Sequence, residues 1–220
     1  MLNFLTESIA AALKNVNINL VYELRIRANK PIVLNYGGKY TFLGGRGVTD
    51  NIGGALAASY ADIEKIIYRA SEFYVYYVPE QLRRGVIAGA GGERIGLSGE
   101  FVYENGSVFT VKDVTSLNIR VPHEVRGCAD AIYRACFARG PANALLVSAP
   151  GRGKTTILRD LARLISAHHF INILINDERN EICACCKDYS LDTGAFTDII
   201  RYADKRDSLV CAMRAMRPDL

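Results

Sequence analysis

Long apolar runs are missing from this sequence of 220 residues, although 50% of the residues are hydrophobic. No stretch approaches the roughly 18 consecutive apolar residues that a membrane-spanning helix needs, so we expect no span of the bilayer. The first residues, Met1–Glu7, lack a basic segment and a small-residue cleavage site, and we expect no secretory signal. Internal repeats and low-complexity tracts are also missing, and the apolar content argues against a disordered protein.

Cysteine is absent from the first half of the sequence. A disulfide-stapled secreted protein would be shorter and would distribute its cysteines more evenly, so we predict reduced thiols in a cytosolic protein. Cys183 and Cys186 form a Cys-x-x-Cys pair, but no second pair follows at the spacing of a zinc site, which favours buried thiols over a metal or redox site. The six cysteines are Cys128, Cys136, Cys183, Cys185, Cys186 and Cys211.

A strong excess of charge of one sign is missing as well. The sequence has 27 lysine and arginine residues against 23 aspartate and glutamate residues, a formal net charge of +4 at pH 7. Such a small excess permits an anionic partner but does not indicate nucleic acid. The length allows one large domain or two small ones.

The first half predicts a small α+β domain over residues 1–125. Strands are predicted at Val21–Arg27, Pro31–Asn35 and Tyr40–Leu43, with a turn before the last of them. Ser59 and Asp62 have the spacing of a capping box before an amphipathic helix. A helical face is also predicted near the start, formed by Phe4, Leu5, Ile9, Ala12, Leu13 and Val16.

The rest of this domain predicts a β-meander over residues 86–121. Asn105-Gly106, between two alternating runs, indicates a tight hairpin turn because both residues accept positive φ angles. A helical stretch is expected to end before the meander, at Gln81–Gly85. After the meander, Cys128–Arg139 predicts a helix, and we assign residues 126–142 to a linker helix.

The character of the sequence changes after Pro141. Asn143–Val147 predicts a short apolar strand, a glycine-rich loop follows, and Thr155–Ala167 predicts an amphipathic helix before another apolar strand at Phe170–Ile175. Strand, loop, helix and strand make a βαβ unit, so residues 143–220 are predicted to form an α/β domain with parallel strands.

The loop between the first of these strands and the helix has the pattern of a P-loop, except that Ser148 replaces the first glycine. Gly151 and Gly153 allow backbone N–H groups to surround a phosphate. Lys154 would bring a positive charge to the β and γ phosphates, and the hydroxyl of Thr155 would bind magnesium. The predicted nucleotide-binding residues are Ser148, Ala149, Pro150, Gly151, Arg152, Gly153, Lys154, Thr155 and Thr156.

The alternative without a function is a glycine-rich turn that happens to contain a lysine. We prefer nucleotide binding, because the loop lies between an apolar strand and an amphipathic helix, as the P-loop pattern requires. The second half then predicts a P-loop NTPase domain of the RecA/AAA type. The full fold class is an α+β N-terminal domain followed by this α/β domain, whose parallel sheet we expect to be incomplete at the C-terminus.

Two adjacent carboxylates follow the second apolar strand. One interpretation makes Asp177 the Walker B acid that binds magnesium, and the other makes Glu178 the base that orients the attacking water. We prefer Glu178 as the catalytic residue, because a Walker B strand is normally a separate apolar run and none follows before Leu220. A solvated strand end, with Arg179 and Glu181 paired across a turn, is the structural alternative.

These residues together resemble the stage III sporulation protein AA family, ATPases of spore-forming bacteria similar to the secretion and pilus motor ATPases. The Glu-Arg-x-Glu-Ile after the P-loop and the Ser-Leu-Asn-Ile-Arg before it are the most specific parts. The matching segments are Leu24–Arg27, Gly91–Gly99, Ser116–Val121, Gly127–Asp130, Pro150–Leu161, Asp177–Ile182 and Met213–Asp219. In that family Met-x-Pro-Asp leads directly into the Walker B strand, so we expect this sequence to stop just before it.

The resemblance implies an ATPase that uses ATP and Mg²⁺ in the cytoplasm of the mother cell, or peripherally at the forespore membrane. It implies a ring-like homo-oligomer that serves the channel between mother cell and forespore, with membrane-embedded channel components as partners. Ser148 stands where the family usually has glycine. Because the Walker B strand is expected to lie beyond this sequence, the resemblance alone does not imply hydrolysis by this chain.

Two alternatives stand beside the ATPase. One is a nucleotide-binding module without turnover, either truncated or degenerate. The other is a nucleic-acid binder, motivated by the aromatic run Phe73–Val78 near Arg83 and Arg84, although aromatic runs at helix ends are more often core or subunit contacts. Four further arginines are expected on solvated surfaces and are not assigned to catalysis: Arg120, Arg126, Arg134 and Arg139.

Overall fold

The computed structural model describes residues 2–71, 82–83, 85–185, 189–201 and 205–220. The chain divides into two compact units, residues 1–123 with 186–189, and residues 124–185 with 190–220. The predicted aromatic run Phe73–Val78, Arg84, Cys186 and most of the helix end expected at Gln81–Gly85 lie outside the described residues. Within the described residues, no helix has the length and apolar character needed to cross a membrane.

The first unit is built on a seven-stranded sheet in which every neighbouring pair is antiparallel. The strand order is β4-β3-β2-β1-β7-β6-β5, so the middle of the sheet joins strands from both ends of the unit. The strands are β1 (Val21–Arg27), β2 (Val33–Tyr36), β3 (Lys39–Gly44), β4 (Gly47–Thr49), β5 (Val86–Ala88), β6 (Arg94–Glu104) and β7 (Ser107–Arg120).

The helices of this unit whose bounds lie within the described residues are α1 (Glu7–Leu13) and α2 (Tyr60–Ser71), with short 3₁₀ turns at Ile18–Leu20 and Ile52–Gly54. Their apolar faces enter the same core as the inward side chains of the sheet, because burial of apolar surface is the main favourable term in folding. Fully buried members of this core include Phe4, Leu24, Ile26, Leu34, Ile63, Ile66, Ile95 and Ile119.

Two local predictions in the first unit are confirmed at the level of hydrogen bonds. The backbone N–H of Ser59 donates to Asp62 Oδ2 at 2.8 Å, and the N–H of Asp62 donates to Ser59 Oγ at 3.1 Å. This reciprocal pair is the predicted capping box at the start of α2. Asn105 and Gly106 have φ angles of 51° and 77° and connect β6 to β7 as a hairpin turn.

Within its described residues, the second unit contains one long helix and a small parallel sheet. The helices are α3 (Asp130–Ile132), which continues into a π-helical turn at Tyr133–Phe137, α4 (Lys154–His169) and α5 (Lys205–Ala215); the strands are β8 (Ile173–Asp177) and β9 (Thr197–Arg201). Strands β8 and β9 pair in parallel, from Ile173 opposite Thr197 to Asp177 opposite Arg201. The core of the unit includes Ala129, Phe137, Leu161, Ile165 and Ile173, so residues 126–142, expected as a linker helix, contribute to it.

The predicted strand Asn143–Val147 is wrong as a description of this structure. These residues form no strand, and Leu145 and Val147 are 87% and 82% exposed. A strand needs a hydrogen-bonded neighbour, and the edge of β8 opposite β9 is occupied instead by the last residues described. The N–H of Leu174 donates to the carbonyl of Leu220 at 2.8 Å, and the N–H of Asp219 donates to the carbonyl of Asn172 at 2.8 Å.

Candidate functional site

The loop before α4 has the backbone shape that phosphate binding requires. Gly151 and Gly153 have φ angles of 74° and 82°, in the left-handed region that favours glycine. A Cβ atom at either position would meet nothing within 4 Å. Glycine is therefore required here by backbone conformation and not by a close neighbour.

The ammonium of Lys154 lies over this loop. Its Nζ donates to the carbonyl oxygens of Ser148 at 2.7 Å and Ala149 at 3.0 Å, and to Ser148 Oγ at 3.3 Å. Ser148, the residue that departs from the pattern, thus supplies two of the three oxygens that hold the lysine. The positive charge is fixed beside the two positive-φ glycines.

The amino end of α4 is open to an anion. Gly153 is the N-cap residue, and because glycine has no side chain it makes no side-chain capping hydrogen bond. No capping side chain therefore occupies the first N–H groups of the helix. Thr155 and Thr156 are half-buried in this first turn. Free N–H groups, the positive end of the helix dipole and a lysine form an anion-binding arrangement.

The two acidic residues after β8 have opposite environments. Asp177 is only 3% exposed, and its carboxylate accepts three backbone hydrogen bonds. The N–H of Glu181 donates to Oδ1 at 2.8 Å, while those of Ile182 and Cys183 each donate to Oδ2 at 2.9 Å. Glu178 is exposed. Asp177 therefore organises the turn over residues 177–183, and Glu178 is an exposed residue of that turn.

Further polar contacts fix this turn, and sequence reasoning missed them. Asn180 Nδ2 donates to the carbonyl of Cys185 at 2.8 Å, and the N–H of Cys185 donates to Asn180 Oδ1 at 2.8 Å. Arg159 of α4, 8% exposed, donates to the carbonyl oxygens of Glu181 and Ile182. The sequence signal was weak, since an arginine between apolar helix positions is usually solvated.

The contacts of Arg159 bring helix α4 and the acidic turn together. Arg159 lies five residues after Lys154 on the same helix, so α4 and the turn bearing Glu178 are joined by direct hydrogen bonds. The expected pairing of Arg179 with Glu181 is not among the ion pairs of the described residues.

Two thiols meet at the end of this turn. A hydrogen bond with Cys183 lowers the pKa of Cys185 to about 7, with a smaller contribution from the Arg201 guanidinium. The same hydrogen bond, followed by burial, raises the pKa of Cys183. In the part of the chain that the structure describes, no group of three His, Cys, Asp or Glu side chains could hold a metal ion.

The four arginines expected on solvated surfaces are exposed. Arg120 lies at the end of β7, opposite Glu23 of β1 and Arg94 of β6. Arg126 pairs with Asp192 at 3.0 Å and Glu124 at 3.4 Å, and Arg134 pairs with Asp130 at 3.7 Å. Exposed pairs of this kind contribute little to stability.

Comparison with known proteins identifies the family. The family model described as sporulation stage III, protein AA, matches residues 1–220. This chain belongs to the sporulation stage III protein AA family. The resemblance drawn from Leu24–Arg27, Ser116–Val121 and Asp177–Ile182 is thereby confirmed.

Individual members and relatives match different shares of the chain. Stage III sporulation protein AA of Bacillus subtilis (strain 168) is 32% identical over 206 residues, which cover 91% of this chain and 63% of that protein. Protein SEEDLING PLASTID DEVELOPMENT 1 of Arabidopsis thaliana is 36% identical over 69 residues, 31% of this chain and 10% of that protein. The chain thus spans less than two thirds of the length of these relatives.

Solved structures show the fold. The pilus retraction motor PilT with bound ADP matches with a TM-score of 0.56 and 16% identity, covering 97% of this chain and 58% of that one. The ATPase DotB of Legionella pneumophila matches with a TM-score of 0.50 and 12% identity, covering 94% and 55%. The predicted combination of an α+β domain and a P-loop ATPase domain is confirmed at the level of fold.

Proposed function

We propose that this chain binds Mg-ATP through residues 148–156 and that its family members use the bound nucleotide as ATPases. The observation that carries the proposal is the arrangement at the start of α4. Lys154 lies over a loop whose two glycines have positive φ angles, beside an uncapped helix end. Charge, free amides and helix dipole all favour a phosphate at this place.

Each predicted binding residue has a separate role in this proposal. The N–H groups of Gly151, Gly153 and the first turn of α4 would donate to phosphate oxygens, and Lys154 would exchange its loop carbonyls for the β and γ phosphates. Ser148, Ala149, Pro150 and Arg152 would contribute mainly their backbone. Base specificity is not encoded by a loop that contacts only phosphates, and ATP is proposed from the family.

Magnesium would be held by the hydroxyl of Thr155, and it would supply positive charge that neutralises the phosphates. Thr155 fits this role because it lies in the first helical turn beside Lys154 and is only half-buried. Asp177 fits it poorly, because its buried carboxylate accepts three backbone N–H groups. We therefore assign Asp177 to the architecture of the turn rather than to metal binding.

Glu178 is the residue we propose as the base. It is exposed at the carboxyl end of β8, and in open α/β sheets ligands bind at the carboxyl ends of the strands. The turn that carries it is fixed on both sides, so the carboxylate is presented from a rigid segment. Glu178 would accept a hydrogen bond from the attacking water and orient it.

The cellular role is proposed from the family. Members named for stage III of sporulation suggest that the nucleotide serves that process, and we infer a ring-like homo-oligomer working with membrane-embedded components of the channel between mother cell and forespore. The mother-cell cytoplasm, or the surface of the forespore membrane, is the corresponding location. A nucleic-acid partner is not proposed.

Steady-state hydrolysis of Mg-ATP tests the catalytic part of the proposal. We expect turnover to fall about 100-fold in Glu178→Gln, the size typical of a lost general base, while Mg-ATP affinity stays within about threefold of the wild type. Lys154→Ala should lose binding and turnover together, which also controls for a contaminating ATPase. Binding without turnover in the wild-type chain would favour the alternative of a nucleotide-binding module.

A further inference from the structure

The acidic turn is attached to the P-loop helix through one buried side chain. Arg159 lies in the second turn of α4 and is 8% exposed. Its Nη2 donates to the carbonyl of Glu181 at 3.2 Å and its Nε donates to the carbonyl of Ile182. A guanidinium that donates from two atoms to consecutive carbonyls fixes both the distance and the orientation of the segment it contacts.

The same segment is held from the opposite direction by Asp177. The N–H groups of Glu181, Ile182 and Cys183 donate to the carboxylate of Asp177 at the end of β8, whereas the carbonyls of Glu181 and Ile182 accept from Arg159. Both polar sides of this short stretch are thus bound, the amides to the strand and the carbonyls to the helix. Its position depends on α4 as well as on β8.

The position of Arg159 along α4 makes this contact relevant to the nucleotide. Lys154 and Arg159 are separated by five residues, about 7.5 Å along a helix, and a helix moves as a rigid rod over that distance. A displacement of the first turn of α4 therefore displaces the guanidinium. Glu178 lies between Asp177 and the two carbonyls, so it belongs to the segment that would move.

We propose that Arg159 is a positioning residue that couples nucleotide binding at the P-loop to the orientation of the turn bearing Glu178. This inference rests on the proposed function, because it requires that phosphates bind at the amino end of α4. Arg159 does not touch the phosphates in this proposal. It carries the position of the helix to the carbonyls of Glu181 and Ile182.

Hydrogen–deuterium exchange of the full chain, with and without Mg-ADP, tests the coupling directly. The wild-type chain is compared with Arg159→Met, which keeps length without donors, and Arg159→Lys, which keeps the charge without the two-point contact. Arg163→Met is the matched control, because Arg163 lies on the same helix and bonds to Asp160 at 2.6 Å instead of the acidic turn. Affinity for Mg-ADP and urea unfolding are measured on the same samples.

In the wild type we expect Mg-ADP to slow exchange of the amides in residues 179–185 about fivefold, since their hydrogen bonds open by local unfolding. Arg159→Met should lose this response while its affinity for Mg-ADP changes less than about threefold. Arg159→Lys should retain part of the response, and Arg163→Met all of it. A partial response in Arg159→Lys would distinguish loss of positioning from a general loss of packing around residue 159.

Two results overturn the inference without touching the proposed function: Mg-ADP binds the wild type but leaves exchange of this segment unchanged, or Arg159→Met keeps the full response. If Arg159→Met fails to fold, the wild type and Arg159→Lys still decide the matter, because an unchanged exchange in the wild type or a full response in Arg159→Lys overturns the inference. Absence of Mg-ADP binding to the folded wild-type chain overturns the proposed function itself, and the coupling with it.

Discussion

Asp177 and Glu178 are neighbours in the sequence, yet the fold gives them different environments. The carboxylate of Asp177 is buried and saturated with backbone donors, whereas that of Glu178 is exposed. A side chain that acts on a substrate must be accessible to it, whereas a side chain that holds the backbone in place is usually buried. The sequence places both at the end of a strand and favours Glu178 as the base, but it does not show that Asp177 is buried, since that burial depends on the backbone of Glu181–Cys183.

These environments predict different effects on stability. Asp177→Asn places an NH₂ group among three backbone N–H groups and should lower the free energy of unfolding by about 1–3 kcal/mol, the cost of buried donors left unsatisfied. Glu178→Gln should change it by less than about 0.5 kcal/mol, as an exposed substitution does. Urea unfolding at neutral pH measures both, and equal costs would contradict the assignment of Asp177 to architecture.

Cys185 predicts a pH-dependent reactivity. Its hydrogen bond with Cys183 lowers the pKa of the Cys185 thiol to about 7, and only the thiolate reacts with alkylating reagents. The rate of iodoacetamide labelling at Cys185, resolved by mass spectrometry, should therefore rise with pH through a midpoint near 7. Cys183→Ser keeps a donor of similar size and serves as the comparison, whereas Cys183→Ala should move the midpoint upward.

At Cys128 the opposite behaviour is expected, because burial and the neighbouring Asp160 raise the pKa of that thiol. Its labelling should begin at higher pH than that of Cys185. An indistinguishable pH profile at the two sites would show that the contact between Cys183 and Cys185 does not form in solution.

Among the helices and strands, the features that depend on residues close in sequence were predicted best. The β1 bounds, the hairpin at Asn105-Gly106 and the capping box at Ser59 were all found as expected, because each depends on residues close in sequence. The sequence pattern did not predict strand β9, and the strand predicted at Asn143–Val147 is wrong. Both errors concern parallel pairing, which depends on distant partners and not on periodicity within the segment.

The capping box of α2 predicts a measurable helix contribution. Ser59→Ala removes the acceptor for the N–H of Asp62 and should lower the free energy of unfolding by about 1 kcal/mol at pH 7. Hydrogen bonds from the hydroxyl and N–H of Ser59 lower the pKa of Asp62 below its usual 3.8. Because the pKa of Asp62 is lower in the folded state, ionised Asp62 stabilises the fold at pH values above its unfolded-state pKa. This stabilisation is lost as the pH falls through the folded-state pKa.

The cost of Ser59→Ala should therefore be smaller at an acidic pH, below the lowered pKa of Asp62, than at pH 7. Urea unfolding at the two pH values measures it. Thr115→Ala is a suitable comparison, because Thr115 is exposed and its hydroxyl donates only a long 3.4 Å hydrogen bond to the carbonyl of Ser98. A pH-independent cost would show that Asp62 does not bond to Ser59 when ionised.

Taken together, the two units show how far sequence reasoning reaches. The family motifs located the P-loop and the acidic turn, and the fold class agrees with the structures of PilT and DotB. Arg159 and Asn180 lie in the matching segments Pro150–Leu161 and Asp177–Ile182, but the sequence assigns them no role. Each is polar, and its burial depends on contacts with the turn after β8. The sequence therefore predicts the shape of the loop before α4, but it does not predict the side-chain contacts that fix the turn after β8.

Calorimetric titration of the folded chain with Mg-ATP tests the central claim most directly, because it asks only whether residues 148–156 bind the nucleotide. We expect saturable heat with a dissociation constant below about 1 mM, weakened at least about tenfold in Lys154→Ala. Lys39→Ala, which removes an exposed lysine from the first unit, should bind like the wild type. An absence of heat at millimolar Mg-ATP, or unchanged binding in Lys154→Ala, would contradict the account.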